Sequence, residues 1–170
     1  MLIDNKGNAK IADLGLSVDF SVTAKKLHKA ATTLLYRSPE QLFGLKSGYG
    51  FESDVWSLGC ILAELLQCEP LFCKARNYKQ YITLLVDRFG RGFEGWEEAL
   101  QHSDFPGTVL SASAASSPDF LKEKVKGLDA KTLDLFSKLL TVRPERRISV
   151  GEVLEHAYFE GCQGVVELVY

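Results

Sequence analysis

Ser53-Asp54-Val55-Trp56-Ser57-Leu58-Gly59-Cys60-Ile61-Leu62-Ala63-Glu64-Leu65-Leu66-Gln67 decides the architecture, because its apolar residues cover nearly the whole circumference of a helix. A helix of that kind belongs in the middle of a protein. Ser53 offers an N-cap for a helix over residues 54–67. Downstream, residues 78–89 read as a second helix. Asp129 begins a third, in which Leu133, Phe136 and Leu140 make one stripe that Leu135 and Leu139 widen. Ser149 and Glu152 have capping-box spacing for a short last helix. Upstream, Leu2-Ile3 and Ala9-Lys10-Ile11 flank the turn-rich Asp4-Asn5-Lys6-Gly7-Asn8, which predicts a small hairpin. The fold class expected is mainly α, with a short β-hairpin at the start.

The remaining segments carry little periodicity. Residues 13–36 show neither helical nor strand spacing over a length greater than most loops, and long loops in compact domains are usually functional. Ser111-Ala112-Ser113-Ala114-Ala115-Ser116-Ser117-Pro118 is low in complexity and reads as a surface loop. Residues 160–170 read as an appended tail.

Composition narrows the function. A chain of 170 residues with 46% hydrophobic and 25% charged residues has the make-up of one globular domain, not of a disordered segment or coiled coil. A formal charge of -2 provides no basic field for nucleic acid or an anionic membrane, so neither is an expected partner. Cys60, Cys68, Cys73 and Cys162 follow no C-x-x-C spacing, which points to reduced thiols. Charge at Asp4 and Lys6 comes too early for a secretory signal, and the apolar run 58–66 is interrupted by Glu64 and too short to span a membrane. The location expected is cytoplasmic or nuclear.

Gly90-Arg91-Gly92-Phe93-Glu94-Gly95 spells the G-x-G-x-x-G phosphate pattern. It follows a helical stretch instead of a strand, and Glu94, Glu97 and Glu98 would repel a phosphate, so it reads as a helix-ending loop. Asp13-Leu14-Gly15, directly after a strand, resembles the D-F-G motif of protein kinases, with leucine in place of phenylalanine. Twenty-four residues on, Arg37-Ser38-Pro39-Glu40 resembles the A-P-E motif, preceded by Thr33-Leu34-Leu35-Tyr36. Ser53 to Cys60 resembles the start of the kinase central helix, and Arg143-Pro144-Glu145-Arg146-Arg147-Ile148 a signature near the end of the kinase domain. Thr33 to Glu40, Pro70-Leu71-Phe72 and the glycine-, serine- and proline-containing insert before Leu128 are most similar to cyclin-dependent kinases and their close relatives.

The resemblance implies the C-terminal lobe of a two-lobed α+β Ser/Thr kinase over residues 1–159, with a tail at 160–170. It implies ATP and Mg²⁺ as cofactors of the intact kinase, Asp13 as the catalytic Mg²⁺ ligand, and Thr33 as the residue that holds the catalytic aspartate and lysine. It places Thr32 and Arg37 at the substrate, with proline preferred after the phosphoacceptor. Glu40 and Arg147 would form a buried pair, and Asp54 would accept hydrogen bonds from the catalytic-loop backbone. Protein substrates and a cyclin-like subunit are the implied partners.

Two departures qualify this reading. Met1 falls just after the position of the catalytic-loop asparagine, so the glycine loop, the phosphate-binding lysine, its glutamate partner, the catalytic aspartate and that asparagine lie outside the chain. The chain alone is therefore expected to be inactive and to bind no nucleotide. His28 stands where cyclin-dependent kinases carry the activating phosphothreonine, and Val18 where an arginine would bind that phosphate. The alternative from another functional class is a non-catalytic, kinase-derived docking module.

Overall fold

A computed structural model describes residues 2–19, 32–46, 48–107, 117–125 and 127–161, the side chains of 117–119 and 124 excepted. The elements run β1 (Leu2–Ile3), β2 (Ala9–Lys10), α1 (Pro39–Phe43), α2 (Glu52–Gln67), α3 (Tyr78–Phe89), α4 (Glu97–Leu100), α5 (Ser117–Lys124), α6 (Ala130–Leu139) and α7 (Val150–Leu154). The protein is a helical assembly preceded by one antiparallel hairpin, paired Leu2 with Lys10 and Ile3 with Ala9. Its turn closes on Asp4, whose carboxylate accepts from the backbone of Lys6 and Asn8, both at 2.9 Å. That Asx geometry lets Gly7 take the positive φ the reversal needs.

Short-range signals place the helix starts. The Asn77 side chain accepts from Gln80 N at α3, and Asp129 accepts from Thr132 N at 2.7 Å at α6. The Ser149–Glu152 capping box is present at α7. Two expectations are corrected. Ser53 is not the cap of α2: the helix begins at Glu52, and the buried Ser53 hydroxyl donates back to Gly50 O at 2.7 Å. Ser117 and Pro118 are not loop but open α5, where proline costs nothing because the first helical N–H groups lack partners anyway. Residues 111–116 of that loop lie outside the described residues.

The core lies around α2 and α3, where Trp56, Phe72, Tyr81, Phe89 and Phe93 are fully buried with Phe43. A second cluster of Val55, Leu135, Leu139 and Val153 seats α6 and α7 on the other side of α2. Gly59 permits that approach, since a Cβ there would meet Leu139 and Leu140 at 2.8–3.1 Å. The central helix is not enclosed to its end, however. Leu65 and Leu66 are 63% and 49% exposed.

The glycine-rich stretch is a 3₁₀ turn, Gly90–Phe93, that continues α3. Its glycines serve packing and turning: a Cβ on Gly92 would lie 2.5 Å from Val142 Cγ2, and Gly95 has φ +72°. Gly92→Ala is expected to cost about 1–3 kcal/mol, because β-branched Val142 cannot rotate freely away. A urea midpoint equal to that of the wild type would show that Val142 gives way.

Candidate functional site

The hairpin delivers Asp13 to the surface three residues past the end of β2, with φ 67° and ψ 66°. Left-handed backbone is tolerated by aspartate better than by most residues, and here it turns the chain into a 3₁₀ turn, Leu14–Leu16. Asp13, Leu14 and Leu16 are all exposed. No hydrogen bond or ion pair joins Asp13 to Thr33 among the described residues. Residues 20–31, which include His28, lie outside them.

The second part of the site is the run 32–40. Thr32 and Thr33 are exposed, and Thr33 opens a 3₁₀ turn, Leu34–Tyr36. Half-buried Arg37 folds back so that its Nε donates to Thr32 O at 2.7 Å. Side chains from α2 and α3 hold this turn. Ser57 Oγ donates to Tyr36 O at 2.9 Å, and Tyr81 OH lies 3.0 Å from Arg37 O and 3.3 Å from Leu35 O. Tyr36 OH donates to Glu64 Oε2 at 2.7 Å. Sequence reading gave Ser57, Glu64 and Tyr81 no role at the site. Each occupies a position that helical periodicity already explains.

Glu40 and Arg147 meet as the motif suggested. Arg147 Nη1 donates to Glu40 Oε1 at 2.8 Å and Nη2 to Oε2 at 3.0 Å, with both side chains at most 1% exposed. Nε donates to Thr141 O, Nη1 also to Glu52 O, and Nη2 also to Val142 O, so all five guanidinium N–H groups are used. The guanidinium carbon sits 5.2 Å from the Trp56 ring centroid. This arrangement ties α1, the start of α2 and the 141–147 segment into one rigid base under the 32–38 run.

Asp54 stands apart from this network. Its side chain is exposed at the start of α2, yet partial desolvation holds its carboxyl above the usual range. A raised carboxyl pKa opposes folding wherever the group is ionised, and that opposition is relieved as pH falls through the folded value. Asp54→Asn is therefore expected to be neutral or slightly stabilising at pH 7. A large loss in denaturation midpoint would reveal a native partner for the carboxylate.

Tyr36 gives a second titration test. The hydrogen bond to Glu64, followed by burial, pushes its phenol from 10.0 up to about 12. Between those values the unfolded chain has released a proton that the folded one retains, so stability falls as pH rises from about 10 to 12. Tyr36→Phe should lose less stability than the wild type over that window. Parallel urea curves with identical pH dependence would exclude the coupling.

Comparison with known proteins places these features within one family match. The family described as "Protein kinase domain" matches residues 1–159. The chain is also 37% identical over 163 residues to cyclin-dependent kinase B2-1 of Oryza sativa subsp. japonica, a match covering 94% of this chain and 47% of that protein. The chain thus spans about half the length of the curated relative it matches. Through the match over residues 1–159, which hold the Asp13 turn, the clamped 32–38 run and the Glu40–Arg147 pair, the chain belongs to the protein kinase domain family.

Proposed function

We propose that this chain is the substrate-side lobe of a cyclin-dependent-kinase-like Ser/Thr kinase, which transfers phosphate from ATP to serine or threonine followed by proline. The observation that carries the reading is Arg37, tied to Thr32 O and set on a turn that helices α2 and α3 hold from beneath. A fixed guanidinium beside exposed Thr32 and Thr33 suits a peptide lying across the turn. Similarity to a cyclin-dependent relative supports protein substrates and a cyclin-like subunit for the whole kinase.

Mg²⁺ usually takes one or two protein carboxylates and completes its shell with water and phosphate oxygens. Exposed Asp13 fits one such ligand, and no cluster of three or more His, Cys, Asp or Glu residues occurs among the described residues. Bound with ATP, the ion would offset phosphate charge during transfer. Asp13 would hold it, Thr33 would orient the neighbouring catalytic groups, and Arg37 would shape the pocket for the following proline.

The test joins the chain to the N-terminal half of the rice relative and assays peptides with Ser-Pro, Thr-Pro, Ser-Ala, basic-flanked Ser and Tyr acceptors. Phosphorylation confined to Ser-Pro and Thr-Pro is expected, with no transfer and no saturable Mg·ATP binding by the chain alone. Tyrosine or basic-directed selectivity in the chimera, or calorimetric Mg·ATP binding by the chain alone, would overturn the reading.

A further inference from the structure

Three consecutive carbonyls of the substrate turn, those of Leu35, Tyr36 and Arg37, accept hydrogen bonds from side-chain hydroxyls of distant helices. A turn this short cannot satisfy all its own carbonyls, so the position of the run depends on where those hydroxyls are held. Tyr81 supplies two of the three contacts with one shared proton. Its ring is fully buried and packs edge-on against Phe72 at a centroid distance of 4.7 Å. Burial raises the phenol well above its ordinary pKa, so the donor stays protonated. One turn earlier on the same helix, Tyr78 OH donates to Leu42 O in α1. The two phenols are three residues apart and therefore on one face of α3. That face holds the substrate turn with one hydroxyl and the helix after it with the other.

We infer that Tyr81 is a positioning residue, through which α3 sets where Arg37 stands and hence how the residue after the phosphoacceptor is read. This rests on the substrate-side reading above. It also extends it, because Tyr81 lies outside every motif that identified the site and touches no reacting group. A phenol wedged into the core is a rigid ruler: its oxygen can move only if Phe72 and α3 move with it.

The test compares the whole chain carrying Tyr81→Phe with Tyr78→Phe, each of which removes one hydroxyl and keeps the ring. Amide exchange is followed residue by residue, and binding of two fluorescein-labelled peptides, identical except for Ser-Pro or Ser-Ala, is read by polarisation. In Tyr81→Phe, exchange at the Tyr36 and Arg37 amides should rise about tenfold, with α6 unchanged. The Ser-Pro preference should shrink with it. Tyr78→Phe should leave both readings as in the wild type. Unchanged exchange at Tyr36 and Arg37, or an equal rise throughout α6, would overturn the inference. Equal or absent binding of both peptides by the wild type would overturn the proline-directed reading and the specificity role together, while exchange still decides the positioning role.

Discussion

Arg147→Met is expected to lower the unfolding free energy by about 3–5 kcal/mol, the usual cost of removing one partner from a buried ion pair. The loss has two parts. Glu40 would remain in a site 1% exposed with no cation to offset its charge, and the carbonyls of Glu52, Thr141 and Val142 would each lose a donor. The second part separates this arginine from a simple ion pair. Glu40→Gln should be milder, because an amide oxygen still accepts from the guanidinium. Adding Glu40→Gln to Arg147→Met should recover the charge component but not the three hydrogen bonds that the carbonyls lose. Urea unfolding of the two single variants and the double variant forms a cycle that measures the coupling. If Arg147→Met unfolded within about 1 kcal/mol of the wild type, the guanidinium would not be organising α1 and α2.

Phe89→Ala should destabilise by a similar amount, about 3–5 kcal/mol, for a different reason. Phe89 ends α3 at 1% exposure, with ring centroids 5.5 Å from Trp56, 5.7 Å from Phe120 and 6.3 Å from Phe72. Truncation removes transfer energy and leaves a cavity among rings held by several elements, which limits collapse into the space. Phe89→Leu keeps much of the volume and should recover over half of the loss. The readout is the urea midpoint with an unchanged slope. A shift of less than about 1 kcal/mol in Phe89→Ala would mean that the aromatic cluster closes over the gap, contrary to the packing described.

The two losses differ in what they should do to the Leu34–Tyr36 turn and Arg37. Phe89 lies two helical turns beyond Tyr81 and touches none of residues 32–38 through a hydrogen bond. Its truncation should weaken the fold without selectively loosening Arg37. Arg147→Met acts directly beneath α1, which begins two residues after Arg37.

Sequence alone determined the features set by neighbouring residues. The hairpin turn follows from Asp4 and Gly7, α3 from apolar spacing over 78–89, and the starts of α6 and α7 from Asp129 and the Ser149–Glu152 box. Each depends on contacts within one turn of chain, so the code is local. The kinase lobe was suggested by the resemblance of Asp13-Leu14-Gly15, Arg37-Ser38-Pro39-Glu40, Ser53 to Cys60 and Arg143 to Ile148 to kinase motifs, and that resemblance also implied the pairing of Glu40 with Arg147 across 107 residues.

Tertiary structure alone decided the rest. Periodicity marks Tyr81 and Ser57 as residues of helices but carries no trace of the carbonyls their hydroxyls reach, 44 and 21 residues away. Nor does it place the first turn of α2 at Glu52 instead of Asp54, because that boundary depends on how Gly50 and Phe51 enter the helix and on Arg147 binding Glu52 O. The exposure of Leu65 and Leu66 was hidden for the same reason. An apolar residue shows where burial would be favourable, but the partner that completes it must come from elsewhere in the fold.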